Sequence, residues 1–200
     1  MARRPDLVGL TVLAMLSVRP GHPYELHRFI IDTHKDYVTG LPRSLYHAVD
    51  KLAGQELIVP VETSREGRRP ERTIYEITDE GRRELATRLR ALLDDPGGER
   101  RVFTAAVSLI GVLPVPDALQ SLRTRAAALD GNLTGLNAHL KALRDSGLPE
   151  VLTIELDYEQ ALTKAELAWI GQLIARLESG ELHWSDTLNR DQLGNVLDAS

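Results

Sequence analysis

Leu41–Thr78 reads LPRSLYHAVDKLAGQELIVPVETSREGRRPERTIYEIT, and the order of its two halves decides the fold. Pro42 suits a first helical turn, where a missing N–H costs little. Leu45, Ala48, Val49 and Leu52 then recur at helical spacing, so one face is apolar and must be buried. Arg43, Ser44, His47, Asp50 and Lys51 fall on the opposite face and its flanks, with Tyr46 at the border. The second half is rich in β-branched residues at Leu57–Glu62 and Thr73–Ile77, which predicts two strands. The turn between them holds Gly67 with Arg65, Arg68 and Arg69, and Arg72 follows. Pro60 suits an edge strand.

A short helix followed at once by a basic hairpin is the reading half of a winged helix-turn-helix. A cationic hairpin has no hydrophobic reason to protrude, but phosphate oxygens supply one, because each neutralised phosphate releases a counterion. Polar side chains on a slender helix can reach base edges in the major groove. Arg43 and Ser44, at the helix start, stand where such a helix points at DNA. Taken singly, each feature is also what an ordinary solvated surface looks like. Their consecutive order is what makes double-stranded operator DNA the implied partner.

The 200 residues carry a formal charge of −5 and no cysteine, which excludes disulfides and thiolate metal sites. The acidity is uneven. Residues 1–90 hold 15 Lys+Arg against 13 Asp+Glu, or +2, whereas residues 91–200 hold 9 against 16, or −7. One half can approach a polyanion while the other does different work. Arg3 and Arg4 before the apolar run Leu7–Val18 imitate a secretion signal, but Asp6 intrudes, no small-x-small site follows, and Arg19-Pro20-Gly21 comes next. No apolar run is long enough to span a membrane. The expectation is a cytoplasmic protein with no membrane partner.

Leu7–Val18 reads as a buried first helix, and Pro23 opens a second that carries Tyr24, Leu26, Phe29 and Ile30. After the hairpin, Thr78 is placed to cap a fourth helix, with Asp79 and Glu80 near its positive end. Asp94-Asp95-Pro96-Gly97-Gly98 is the clearest linker. Beyond it, Val102–Leu113 is apolar and stops at Pro114. Pro116-Asp117 then starts a long helix in which Leu119, Leu122, Ala126, Leu129, Leu133, Leu136, Leu140 and Leu143 alternate by three and four. After Gly147-Leu148-Pro149, a last helix carries Leu162, Ala165, Trp169, Leu173 and Leu177. Such a seam packs within one chain or between two, and the pattern alone leaves both open. For a reader of DNA, pairing two copies has a use, since a two-fold dimer reads two half-sites.

Several linked segments resemble the PadR family of bacterial transcriptional regulators. They are His22-Pro23-Tyr24-Glu25-Leu26, Ser44-Leu45-Tyr46, Leu57-Ile58, and Arg69 through Tyr75-Glu76-Ile77-Thr78-Asp79-Glu80-Gly81. The later Glu155-Leu156 and Ala165–Ile170 are similar to that family's helical dimerisation domain. The resemblance implies a winged-helix domain, a homodimer built by C-terminal helices, and repression relieved by an unidentified small-molecule effector. It carries DNA contacts onto Tyr24, Ser44, Tyr46, His47 and the wing arginines. Two positions depart from the family pattern. Pro23 and Glu56 stand where glycine is usual, and Glu56 puts the turn at the end of the reading helix in question.

The expected fold is mainly α with a small β-wing: an N-terminal winged helix-turn-helix domain over 1–93, a linker at 94–98, a helical, coiled-coil-like dimerisation domain over 99–182, and a tail at 183–200. DNA contacts are expected at Tyr24, Arg43, Ser44, Tyr46, His47, Lys51, Arg65, Arg68, Arg69 and Arg72. The two tyrosines either touch phosphates or only cover the edge of the core with an exposed tip. The dimer interface is expected at Leu122, Leu129, Leu133, Leu136, Leu140, Leu143, Leu162 and Leu173. Phe103 and Trp169 either line an effector pocket or belong to the core. His27 and His34 lie seven apart with no completing carboxylate, so neither metal nor cofactor is expected. No phosphate loop, nucleophile elbow or metalloprotease pattern is present, so no enzyme is expected. The competing reading is a non-catalytic interaction protein that uses the winged helix only as a scaffold.

Overall fold

A computed structural model describes residues 5–33, 35, 37, 42–64, 72–97 and 99–184. The described chain is mostly helical, with one two-stranded antiparallel sheet. It divides into two compact units. The first runs to Leu92 and takes in the stretch ending at Pro114 together with Trp184; the second comprises Leu93–Gly97 and Val115–His183.

The first unit is built round helix α1, Leu7–Val18. A helix without a polar face belongs in a core. Accordingly Leu10, Thr11, Val12, Leu13, Ala14 and Leu16 are all buried. The buried Thr11 hydroxyl donates to the Leu7 carbonyl at 2.8 Å, so no polar group is stranded. Asp6 caps the start by accepting the Gly9 N–H at 2.8 Å.

Helix α2, Pro23–Asp32, begins with proline at a position that has no intrahelical N–H to lose. His22 Nδ1 accepts the Tyr24 N–H at 3.1 Å, and Glu25 Oε2 accepts the His22 N–H at 3.2 Å, closing a reciprocal cap. Helix α3, Arg43–Gly54, buries Leu45, Ala48, Val49 and Leu52 and packs on α1.

At the end of α3, Glu56 takes the left-handed conformation with φ of 58°. This is where the sequence departs from glycine, and the chain makes the glycine turn anyway, without using Gly54 for it. Strand β1, Ile58–Ser64, then pairs with β2, Arg72–Ile77, from Ile58 opposite Ile77 to Ser64 opposite Arg72. The register slips between Pro60 and Glu62, a bulge at the residue that cannot donate to a ladder. Gly21 adds a third stretch of backbone: it and Tyr75 exchange both hydrogen bonds at 3.0 Å.

Helix α4, Asp79–Asp94, starts as expected from Thr78, whose hydroxyl accepts the Gly81 N–H at 3.0 Å. The same Thr78 offers its N–H to the Leu57 carbonyl at 3.0 Å. This pulls the first turn of α4 so close to β1 that a Cβ on Gly81 would stand 2.1 Å from that carbonyl oxygen. Helix α5, Arg100–Ser108, and a 3-10 turn at Ile110–Val112 follow. The Trp184 indole N–H donates to the Leu113 carbonyl at 2.8 Å.

In the second unit, α6, Val115–Asp145, and α7, Ile154–Glu178, form an antiparallel pair. The pairing is registered by Arg123 with Glu178 at 2.5 Å, Arg125 with Glu166 at 2.7 Å and Gln160 with Asn137 at 2.6 Å. Arg125 is buried, and its guanidinium also donates to the carbonyls of Leu93 and Asp95. A buried charge persists only when its hydrogen bonds are met, and here Glu166 and two carbonyls meet them.

Two substitutions test this account. Gly81→Ala must displace either α4 or Leu57 and is expected to cost about 3 kcal/mol, in the range of overpacked cores. Glu56→Gly removes a left-handed strain of about 1 kcal/mol and should raise stability by that order. Urea unfolding of the two variants against the parent reads both effects.

Candidate nucleic-acid interface

The first turn of α3 presents what a groove-reading helix needs. Arg43, Tyr46 and His47 are exposed, and Ser44 is half-buried between them and the core. No side chain caps this end, where Pro42 occupies the N-cap position. Its positive helix end faces outward beside Arg43. Tyr24, on the first turn of α2, is 60% exposed, so its ring is largely outside the core rather than a covering for it. Tyr46 is 45% exposed.

Lys51 differs from its neighbours. Its ammonium sits 2.6 Å from Asp6 Oδ2, at the N-cap of α1. Burial on its own would raise the Asp6 pKa. The Lys51 hydrogen bond, the Gly9 N–H and the nearby charges of Lys51 and Arg88 outweigh it and hold the carboxyl below its ordinary value. Lys51 thus fastens α3 to α1 in this structure, and its charge is already partnered. Sequence reading missed this because the two residues lie 45 apart, and Asp6 stood out only as an intruder in an apolar run.

Of the wing residues, Arg72 closes the ladder opposite Ser64. Arg65, Arg68 and Arg69 lie outside the described residues. On β1, Val59 and Val61 are exposed at 40% and 50%. Two residues apart on the strand, they fall on the same face by alternation alone.

The seam leucines divide by depth. Leu122, Leu129, Leu140 and Leu173 are buried, whereas Leu133, Leu136, Leu143 and Leu162 are half-buried. Phe103 is buried on α5 in the first unit, and Trp169 stands 43% exposed on α7 in the second. Among the described residues no group of His, Asp and Glu is arranged to hold a metal ion, and no helix is long and apolar enough to cross a membrane.

Three helices followed by a two-stranded hairpin, with the third helix showing its polar face, define a winged helix-turn-helix fold. Residues 12–87 match the transcriptional regulator PadR-like family. Among solved structures, the chain is similar to Bacillus subtilis PadR in complex with operator DNA, at 18% identity and a TM-score of 0.42 over 88% of this chain and 99% of that one. It is likewise similar to a PadR-like transcriptional regulator from Bacillus cereus, at 18% identity and a TM-score of 0.38 over 86% and 99%. A Streptococcus mutans protein gives 22% identity and a TM-score of 0.38 over 84% and 98%. No curated protein matches the chain.

The Asp6 contact gives a prediction. Asp6→Ala removes both the α1 cap and the Lys51 partner and is expected to cost roughly 1–2 kcal/mol. Because the folded pKa is depressed, the contribution of Asp6 is fully present above an unfolded value of about 3.9 and is lost as pH falls through the lower folded value. Thermal melts from pH 7 down to pH 2 should show parent and variant converging only below about pH 4.

Proposed function

We propose that the chain is a homodimeric transcriptional regulator that binds operator DNA sequence-selectively and represses until a small-molecule effector releases it. The observation that carries this reading is the division of α3: its apolar residues are sealed into the first unit while Arg43, Tyr46 and His47 are exposed on the opposite side. In winged helix-turn-helix docking such side chains meet base edges, which alone distinguish sequences. Arg65, Arg68, Arg69 and Arg72 supply the phosphate contacts that hold the helix in register. Tyr24 and Ser44 serve as further backbone contacts. No catalysis belongs to this reading.

A single winged domain makes few base contacts, so the proposal includes two copies reading half-sites roughly 34 Å apart or a multiple of that. The half-buried Leu133, Leu136, Leu143 and Leu162 on α6 and α7 support a second copy on these helices, because they keep apolar area in hand after the two helices of one chain have paired. Family resemblance supports release by an effector.

The test is a gel shift with DNA from upstream of the gene itself. Arg43→Ala or His47→Ala should alter which sequence is preferred, by about 1–3 kcal/mol at the position read. Arg68→Ala with Arg69→Ala should weaken binding to every sequence and shrink the salt slope by about two. Identical behaviour of the two sets overturns the division of labour between helix and wing. For the dimer, Leu136→Glu is expected to give monomers by light scattering; dimers that persist remove this seam from the interface.

A further inference from the structure

The polar face of α3 has an edge as well as a front. Ser44, His47 and Lys51 stand at i, i+3 and i+7, so they share one side of the helix. Lys51 is the cation on that edge, and a cation on the flank of a groove-reading helix is placed for a phosphate oxygen. The fold gives its charge another use. From the last turn of α3 the ammonium donates to Asp6 Oδ2 at 2.6 Å, just before α1 begins.

Asp6 divides its two oxygens between two tasks. Oδ1 accepts the Gly9 N–H at 2.8 Å and caps α1, which leaves Oδ2 for Lys51. A cap needs a side-chain oxygen but no charge, and asparagine caps a helix as well as aspartate does. The negative charge is therefore surplus to the start of α1. Arg88 also lies near Asp6, but it has its own ion pair with Glu84 at 2.7 Å. The Lys51 and Asp6 side chains stay 33% and 32% exposed, so the pair is open to solvent and to what solvent carries. An ion pair this open is weak, and a polyanion can compete for its cation. With Asp6 charged, this edge of α3 is locally neutral; without that charge it would attract the DNA backbone.

We propose that Asp6 is a positioning residue that restrains DNA affinity: its carboxylate occupies Lys51 and keeps one phosphate contact of α3 unmade. This rests on the reading of the chain as a DNA-binding regulator and names what limits that binding.

The restraint is blind to sequence. A phosphate contact tightens binding to every duplex by releasing a counterion, whereas base edges decide which duplex is preferred. Asp6 therefore sets how long the protein stays on any DNA, and leaves the choice of sequence to Arg43, Tyr46 and His47 on the front of the helix.

The full-length parent, Asp6→Asn, Lys51→Met and the double variant are titrated by fluorescence anisotropy against a mixed-sequence duplex and against DNA from upstream of the gene. Asp6→Asn keeps the cap and removes the charge. Between about 50 and 200 mM chloride, one phosphate contact changes affinity by roughly three- to fourfold. Asp6→Asn is expected to bind both duplexes about threefold more tightly at the low-salt end, with a salt slope steeper by about 0.9. Lys51→Met alone should alter neither affinity nor slope, and in the Asp6→Asn background it should abolish the gain. The preference between the two duplexes should be the same in every form. A parent weakened by Lys51→Met overturns the proposal, because Lys51 would then already hold a phosphate. A gain that survives in the double variant overturns the part of Lys51 and leaves repulsion by the carboxylate alone. An Asp6→Asn chain that melts at a lower temperature with an unchanged salt slope makes the pair a fastening between helices and nothing more, which also overturns it. If the parent binds neither duplex, the DNA reading itself fails; if the parent binds and Asp6→Asn gains nothing, this inference fails alone.

Discussion

The burial of α1 is the constraint on which the first unit depends. A helix with apolar residues on every side cannot lie on a surface. Leu10, Leu13 and Leu16 are each within a few per cent of complete burial, and each is worth about 1.5–3 kcal/mol relative to exposure. Meeting this requirement takes neighbours on all sides, and α3 and β2 are two of them. The polar face of α3 is exposed because its apolar face has no other place to go than against α1. Asp6 adds direction to that contact: a single carboxylate caps α1 and grips Lys51 on α3, so the start of one helix and the far end of the other are fixed by the same group. What a DNA reader requires, a helix held rigidly with one face free, follows from a core requirement before any nucleic acid is involved.

Much of this was legible because it is local. The spacing of Leu45, Ala48, Val49 and Leu52 gave α3 its orientation, Pro23 and Thr78 marked two helix starts, and Pro114 marked a stop, all through rules that act within about four residues. Glu56 was marked as a place where glycine is usual only by the family resemblance. What escaped is long-range. Nothing near Lys51 in the chain announces Asp6, nothing near Gly21 announces Tyr75, and nothing in the leucine spacing announces that Arg125 is buried against Glu166. His22 escaped for a different reason: histidine is an unusual helix cap, and the signal lay in Glu25 three residues on.

The heptad pattern shows how far periodicity alone can reach. Eight positions at alternating spacing predict a stripe, and α6 has one, yet the stripe is not uniformly covered. Leu122, Leu129 and Leu140 are buried while Leu133, Leu136 and Leu143 are only half so. The middle of α6 also carries Gly131 and Gly135, around which an added Cβ would meet nothing within 4 Å. Those glycines are therefore not there to admit a close neighbour from the same chain. They lower helix stability by about 1 kcal/mol each relative to alanine, in the same stretch where the leucines are least covered. A pattern that fixes which residues share a stripe says nothing about how many helices share in covering it.

The corner between α1 and α2 carries three demands on a few residues. Outward, it sets Tyr24 on the first turn of α2; inward, Pro20, Gly21 and Glu25 line a cavity of about 270 Å³; sideways, Gly21 pairs with β2. A cavity bounded by side chains alone would adapt by changing rotamers. Here part of the boundary is backbone already hydrogen-bonded to the wing, and backbone hydrogen bonds at 3.0 Å leave little slack before one of them must lengthen or break. Gly21 has Leu16, Glu25 and Leu26 within 4 Å of where a Cβ would stand, so the corner has scant room to move without disturbing α1, α2 or the strand. The stiffness that holds α3 in place for reading is therefore shared by the wing strand, which this corner ties to the same helices.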